Sequence, residues 1–413
     1  MTSQPLKHPR GNRKTVIIGF DFGTHSTKVV FRERGKADGH IARFDEAAKG
    51  YPFRASPSLV RCVDDRLYFG TEALSTSGGV LFRSLKVRLH GLQQSNISFS
   101  EGLNCETLVA AYFAWAFQQL RRSLSECADS NMFLNVAAPM SHFENPELKT
   151  RYLQIIQAAW NVSFVEQATP IHQGILSSEV ARILAPMLEE PVLGPELRRF
   201  DVLPETIAPV VSLSLDPWMK PGMYMIVDTG AGTTEMSVFH AGEPGADQKV
   251  SCYRDETMLL GGADLNLAER SKDGDRCLKL DKIFLQMEKL YRRLWQEGYQ
   301  IINGNHHARR RWSELTLVLS GGGTRHPRLA ELLSKVNPML AWPKKETRLS
   351  CRRHVPGTLE LCENMDDGSL FAVANGLAIE RKHWPIIFPP NQIEHLEPTQ
   401  KVDNKPLGYW YPD

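Results

Sequence analysis

A chain of 413 residues, 42% hydrophobic and 23% charged, has the makeup of a globular protein with room for roughly two to three domains and a large buried core. Its formal net charge of +2 gives no electrostatic reason to expect nucleic acid or an anionic membrane as partner. No run approaches the ~18 consecutive apolar residues of a membrane-spanning helix, residues 1–14 lack the apolar core of a signal peptide, and the seven scattered cysteines contain no CxxC pair. These features speak against a membrane protein, a disulfide framework and a zinc site, and the expectation that remains is a soluble protein of a reducing, cytoplasmic compartment.

In chain order, residues 1–14 are polar and basic and read as a flexible arm. Val16-Ile-Ile-Gly-Phe-Asp-Phe has the composition of a buried strand, Gly23-Thr-His-Ser that of a polar turn, and Thr27-Lys-Val-Val-Phe that of a returning strand. Together they predict a β-hairpin with Asp21 at the end of its first strand. Leu108, Ala111, Tyr112, Trp115 and Leu120 recur at helical spacing and predict a helix over 106–126. Residues 133–139 read as a strand ending in a turn, and 145–160 as a helix. Residues 181–221 are rich in proline, lack periodicity and read as an insertion.

The pattern then restarts. Met223-Tyr-Met-Ile-Val-Asp-Thr-Gly-Ala-Gly-Thr-Thr-Glu-Met-Ser-Val-Phe is again strand, aspartate, glycine-rich turn and strand. With the aspartates aligned, Asp21 matches Asp228, Gly23 matches Gly230 and Thr27 matches Thr234. A third element, Leu315-Thr-Leu-Val-Leu-Ser, runs into Gly321, Gly322 and Gly323. The Pro-rich stretch 382–413 reads as an extended tail that ends in the aromatic cluster Tyr409-Trp-Tyr. The implied organisation is one lobe over 15–180, the insertion over 181–221, a second lobe over 222–381 and the tail.

Turns of this kind suit phosphate. Successive backbone N–H groups in a tight turn supply closely spaced donors, and glycine lets phosphate oxygens approach the main chain. A carboxylate at the strand end can hold Mg²⁺ through water, because that ion keeps much of its hydration shell. Asp21 with Gly23 and Thr24 forms one such cradle, and Asp228 with Gly230, Gly232, Thr233 and Thr234 a second. The phosphate loop GxxxxGK[ST] is absent, and no convincing GxGxxG joins a strand to a helix.

With these motifs in place, the chain resembles the actin, sugar-kinase and heat-shock-protein superfamily, and within it the ATPase domain of the 70-kDa heat-shock (DnaK-like) proteins. Phe20-Asp-Phe-Gly-Thr-His-Ser resembles the first phosphate motif, Val227-Asp-Thr-Gly-Ala-Gly-Thr-Thr the second, and Leu319-Ser-Gly-Gly-Gly-Thr-Arg the adenosine motif. Further likeness lies in Ala55-Ser-Pro-Ser-Leu-Val, Leu81-Phe-Arg-Ser-Leu-Lys, Leu259-Leu-Gly-Gly-Ala-Asp and Phe371-Ala-Val-Ala-Asn-Gly. It spans about residues 15–380 and implies an α/β, actin-like ATPase fold of two duplicated, ribonuclease-H-like lobes around a nucleotide cleft, without a peptide-binding domain.

The resemblance implies ATP or ADP with Mg²⁺ in the cleft. By position, Asp21 and Asp228 would hold the metal's water shell, and Lys86 would reach toward the γ-phosphate. Glu166 would orient water and metal, and Thr233 would sit near the γ-phosphate. His25 and Ala231 complete the two turns, Gly261 and Gly262 border ribose and phosphates, and Gly321, Gly322, Gly323 and Arg325 line the adenosine side. Lys86 also reads as one cation on a solvated face beside Arg83 and Arg88, and Glu166 as a carboxylate at a helix N-terminus. His25 stands where the family carries threonine or serine, Ala231 replaces a glycine and Gly323 replaces a serine.

Only about sixty residues separate Gly262 from Gly321, which implies an outer subdomain cut down to a helix pair near 278–299, with Lys289 and Arg292 as candidates for the base. The run His306-His-Ala-Arg-Arg-Arg reads as a solvated loop rather than a nucleic-acid site. The expected function is a slow Mg²⁺-dependent ATPase whose nucleotide state switches affinity for a partner protein. An actin-like filament protein and a scaffold that holds nucleotide without turnover are the alternatives.

Overall fold

The computed structural model describes residues 14–43, 49–51, 54–89, 103–124, 131–138, 145–163, 174–194, 197–243, 248–270, 273–302, 314–335, 348–360, 368–388, 390 and 393. Within them the chain is mixed α/β, with a seven-stranded, a six-stranded and a small four-stranded sheet. The first hairpin forms as expected, Thr15–Phe22 against Ser26–Glu33. Its first strand also pairs in parallel with Asn131–Ala138, which in turn pairs in parallel with Phe200–Pro204. The second hairpin, Gly222–Thr229 against Thr234–Ala241, repeats the arrangement. Its first strand pairs in parallel with Glu314–Ser320, and that strand with Arg348–Arg353. A third antiparallel strand flanks each hairpin, Gly39–Ile41 in one sheet and Lys249–Met258 in the other. The two sheets therefore share one strand order.

Helices cover the sheets where the sequence is amphipathic or wholly apolar. Cys105–Ser123 and Pro146–Ser163 lie close to the expected 106–126 and 145–160. The first of these begins at Asn104, whose side chain accepts from the Thr107 N–H at 2.8 Å and caps the helix. Phe20 and Phe22 of the first strand meet Phe113 edge to face, and Phe20 meets Phe117 in the same way. Trp160, on the second helix, completes this aromatic core. Over the second sheet, Leu280, Phe284, Met287, Leu290, Tyr291, Leu294 and Trp295 are buried at helical spacing along Asp273–Ile302.

Three expectations about organisation need correction. Residues 181–221 are no insertion: Val180, Leu184 and Leu188 of helix Ser177–Leu188 join the first core, and Phe200–Pro204 is a strand of the first sheet. Among the prolines that disguised this segment, Pro204 ends a strand, Pro209 sits at the start of helix Ala208–Ser214, and Pro186 lies inside helix Ser177–Leu188. The outer part of the second lobe holds one 30-residue helix, Asp273–Ile302, over the region expected as a helix pair. The second lobe also does not run unbroken to residue 381. Leu359–Glu360 pairs with Gly39–Ile41, and helix Ala372–Leu377 packs on the first strand of the first sheet, where Gly19 leaves no room for a side chain beneath Ala374.

That last helix crosses helix Ala208–Ser214, which follows the first sheet in sequence yet buries Val210 and Val211 against Tyr224, Ile226 and Phe239 of the second. The crossing is close because Gly376 lies directly on the Ala208 carbonyl, and a Cβ there would overlap it. In the stretch expected as a tail, Ile386–Phe388 pairs with Lys249–Met258. The arm 1–13, the run beginning at His306 and the aromatic end from Leu407 lie outside the described residues. Among the described residues no helix is long and apolar enough to cross a membrane.

Candidate functional site

The shared strand order puts the two hairpin turns face to face. Asp21 ends the first strand of one sheet and Asp228 that of the other, and both line a cavity of about 820 Å³ between the sheets. Gly23, Thr24 and His25 from the first turn and Gly230, Ala231 and Thr233 from the second line it as well. The turns nearly touch: a Cβ on Gly232 would stand 3.0 Å from Thr24 Cγ2. Gly322, Gly323 and Arg325 border the cleft after Gly321, which has a φ of +78° that L side chains rarely adopt.

Some expected residues support the site from behind. Gly232, Thr234 and Gly261 do not line the cavity. Thr234 Oγ1 donates to the Leu260 carbonyl at 2.8 Å and ties the second turn to the segment before helix Gly262–Glu269. The N–H groups of Gly262 and Ala263 bond the carbonyls of Gly230 and Ala231, both at 2.8 Å. Gly261 packs so closely on the Ala231 carbonyl that only glycine fits. With its carbonyls turned back in this way, the second turn leaves the N–H groups of Ala231, Gly232 and Thr233 without a hydrogen bond among the described residues. Lys289 and Arg292 do not line the cleft, and Arg292 pairs instead with Glu288 at 2.9 Å. Glu166 lies outside the described residues.

The floor of the cleft is charged and buried. Asp21 Oδ2 pairs with Lys28 Nζ at 2.6 Å, while its Oδ1 and Thr24 Oγ1 are buried with no hydrogen-bond partner. Lys86, 5% exposed, lies on no solvated face; its Nζ contacts both carboxylate oxygens of Glu205. Burial by itself would lower the Lys86 ammonium, but Glu205, Glu235 and Asp21 outweigh it and hold it above its ordinary value. Burial, then Asp21 and Glu205, push the Asp228 carboxyl up to about 7. Burial and Glu205 likewise push Glu235 well above the carboxylate range.

Asp21, Glu205, Asp228 and Glu235 thus face two lysines, Lys28 and Lys86. A buried cluster with more acids than bases favours an added cation. No group of three or more His, Cys, Asp and Glu among the described residues is arranged to hold a metal directly. Carboxylate oxygens such as those of Asp21 and Asp228 suit a hard cation that keeps part of its water shell, as Mg²⁺ does. His25 stacks on Tyr51, ring centroids 4.2 Å apart, and burial lowers its pKa and so disfavours the charged form of this ring at the cleft wall.

Lys28, Glu205 and Glu235 escaped the sequence reading. Two of them were visible as a pattern: Lys28 and Glu235 each stand in register with the hairpin aspartate, Asp21↔Lys28 and Asp228↔Glu235. Glu205 follows the strand that the prolines obscured, and Phe200, Val202 and Leu203 before it were the signal. No protein-family model and no curated protein matches the chain.

Proposed function

We propose that the cleft binds ATP with Mg²⁺ and that the protein is a slow ATPase of actin-like fold, whose nucleotide state sets the relation of its two lobes and so its affinity for a partner protein. The observation that carries this reading is the pair of aspartate-tipped hairpins, one from each of two sheets of the same strand order, facing each other across one cavity. A phosphate chain lying between the turns would meet the unengaged N–H groups of Ala231, Gly232 and Thr233 on one side and Thr24 on the other. Mg²⁺, when bound, supplies charge neutralisation at the phosphates, and Asp21 and Asp228 are the residues to hold its water shell. Lys86 and Glu205 stand ready to stabilise charge and to orient an attacking water. Loss of the γ-phosphate would remove the ligand common to both hairpins and let the lobes relax.

The test is ATP binding and turnover by the purified protein with Mg²⁺, beside Asp228→Ala. Turnover that vanishes in the variant supports an enzyme; absence of both binding and turnover in the unaltered protein overturns the reading. One observation favours a second reading, nucleotide held without hydrolysis: Lys86 is engaged by both oxygens of Glu205, which occupies cation and carboxylate with each other. Tight binding with no turnover would select it.

A further inference from the structure

Helix Gly262–Glu269 starts against the second turn and runs away from it, so that Glu269 stands roughly 10 Å farther along the cleft. That is about the reach of a nucleoside measured from its phosphates. Here the wall is polar. Glu269, its side chain 34% exposed, lines the cavity with Asn266 and Arg270, and His326 lines it from the segment after the triple glycine. His326 Nε2 stands 3.0 Å from Glu269 Oε1, at ion-pair distance, and its side chain is 6% exposed with neither ring nitrogen making a hydrogen bond. The ring is held from behind by Phe284, edge to face at 6.0 Å, and Phe284 is itself covered by the Arg328 guanidinium. The His326 main chain is fixed by its N–H to Gly323 and by its carbonyl to the Leu329 N–H.

An imidazole buried without hydrogen bonds is costly. Resting on the reading of the cleft as an ATP site, the geometry points to Glu269 as the residue that reads the base. Its carboxylate accepts a hydrogen bond from the exocyclic amino group of a purine. His326 is the buried positioning residue that fixes the carboxylate. Asn266 and Arg270 flank Glu269 on the same wall, and Leu267, 70% exposed, offers an apolar edge for the flat face of a base.

The experiment measures binding of three Mg²⁺-loaded probes to the full chain: ATP, purine riboside triphosphate, which lacks only the amino group, and tripolyphosphate. A hydrogen bond to a charged acceptor corresponds to a preference for ATP over its deaminated analogue of about tenfold or more. Glu269→Ala should bring the two nucleotides to within about twofold of each other and leave tripolyphosphate affinity unchanged. His326→Asn should lose part of the preference, again without change in tripolyphosphate binding, whereas a merely structural role would weaken all three probes alike. Equal binding of the two nucleotides by the unaltered protein, or a preference that survives Glu269→Ala, overturns the assignment while the ATP site stands. Failure of all three probes to bind overturns the ATP reading and this inference together.

Discussion

Asp228 carries a proton that the unfolded chain would release more readily. Its folded-state value, pushed from 3.8 to about 7, makes the carboxyl a stabilising group below about pH 4, and that contribution is lost as pH rises through about 7. Across the window the effect reaches about 4 kcal/mol, with Glu235 acting in the same direction. Asp228→Asn should therefore flatten the fall in stability between pH 5 and 8, read from urea midpoints. On the proposed reading Mg²⁺ would compete with the same proton, so affinity for Mg²⁺-nucleotide should rise from pH 6 to 8 in the unaltered protein and stay level in the variant. Lys86 obeys a different logic, since removing one partner strands a buried charge. Lys86→Met should cost about 3–5 kcal/mol, and adding Glu205→Gln should recover a good part of it. Asp21, Asp228 and the glycines around them were legible because a strand ending in aspartate and glycine is a local pattern that occurs twice. Glu205 and its pairing with Lys86 were not, because 119 residues separate them and no local pattern encodes that distance.

At the scale of elements, the crossing of Ala208–Ser214 with Ala372–Leu377 is a close joint between the lobes. Gly376→Ala should destabilise the protein by about 1–3 kcal/mol, since the added methyl meets the Ala208 carbonyl and both helices are packed on sheets. Beside the joint runs a buried polar chain. Arg32 donates to Asn375 Oδ1 at 3.0 Å, and Asn375 to Ser212 Oγ at 2.9 Å. His354 Nε2 stands 2.9 Å from Ser212 Oγ, and its Nδ1 3.0 Å from Asp216 Oδ2. Serine, histidine and aspartate in this order resemble a hydrolytic triad, yet all three are buried and none lines the cleft. They act as a polar splice between the end of strand Arg348–Arg353 and Arg32 on the first hairpin. His354→Ala should lower the urea midpoint while leaving affinity for nucleotide unchanged once the variant is folded. The hairpins and the two long helices of the first lobe were readable from their composition and the spacing of their apolar residues. This joint was not, because proline masked one helix and the other returns from the far end of the chain.

For the whole molecule, a ligand that touches both hairpins should stabilise both sheets as one unit. At a hundredfold excess over its dissociation constant, ATP with Mg²⁺ should add about 2.7 kcal/mol to unfolding, with a single cooperative transition and amide protection that rises on both hairpins. Separate transitions, only one of them shifted, would show that the ligand engages a single lobe. The exchange of helices between lobes has a consequence for how the protein is made. A ribosome finishes the strand Phe200–Pro204 well before it reaches Ala372–Leu377, the helix that covers the first sheet. At usual synthesis rates the gap is on the order of ten to thirty seconds. Throughout it, Gly19 and its neighbours lack their cover, and the apolar face of that strand stays open until the last helix arrives.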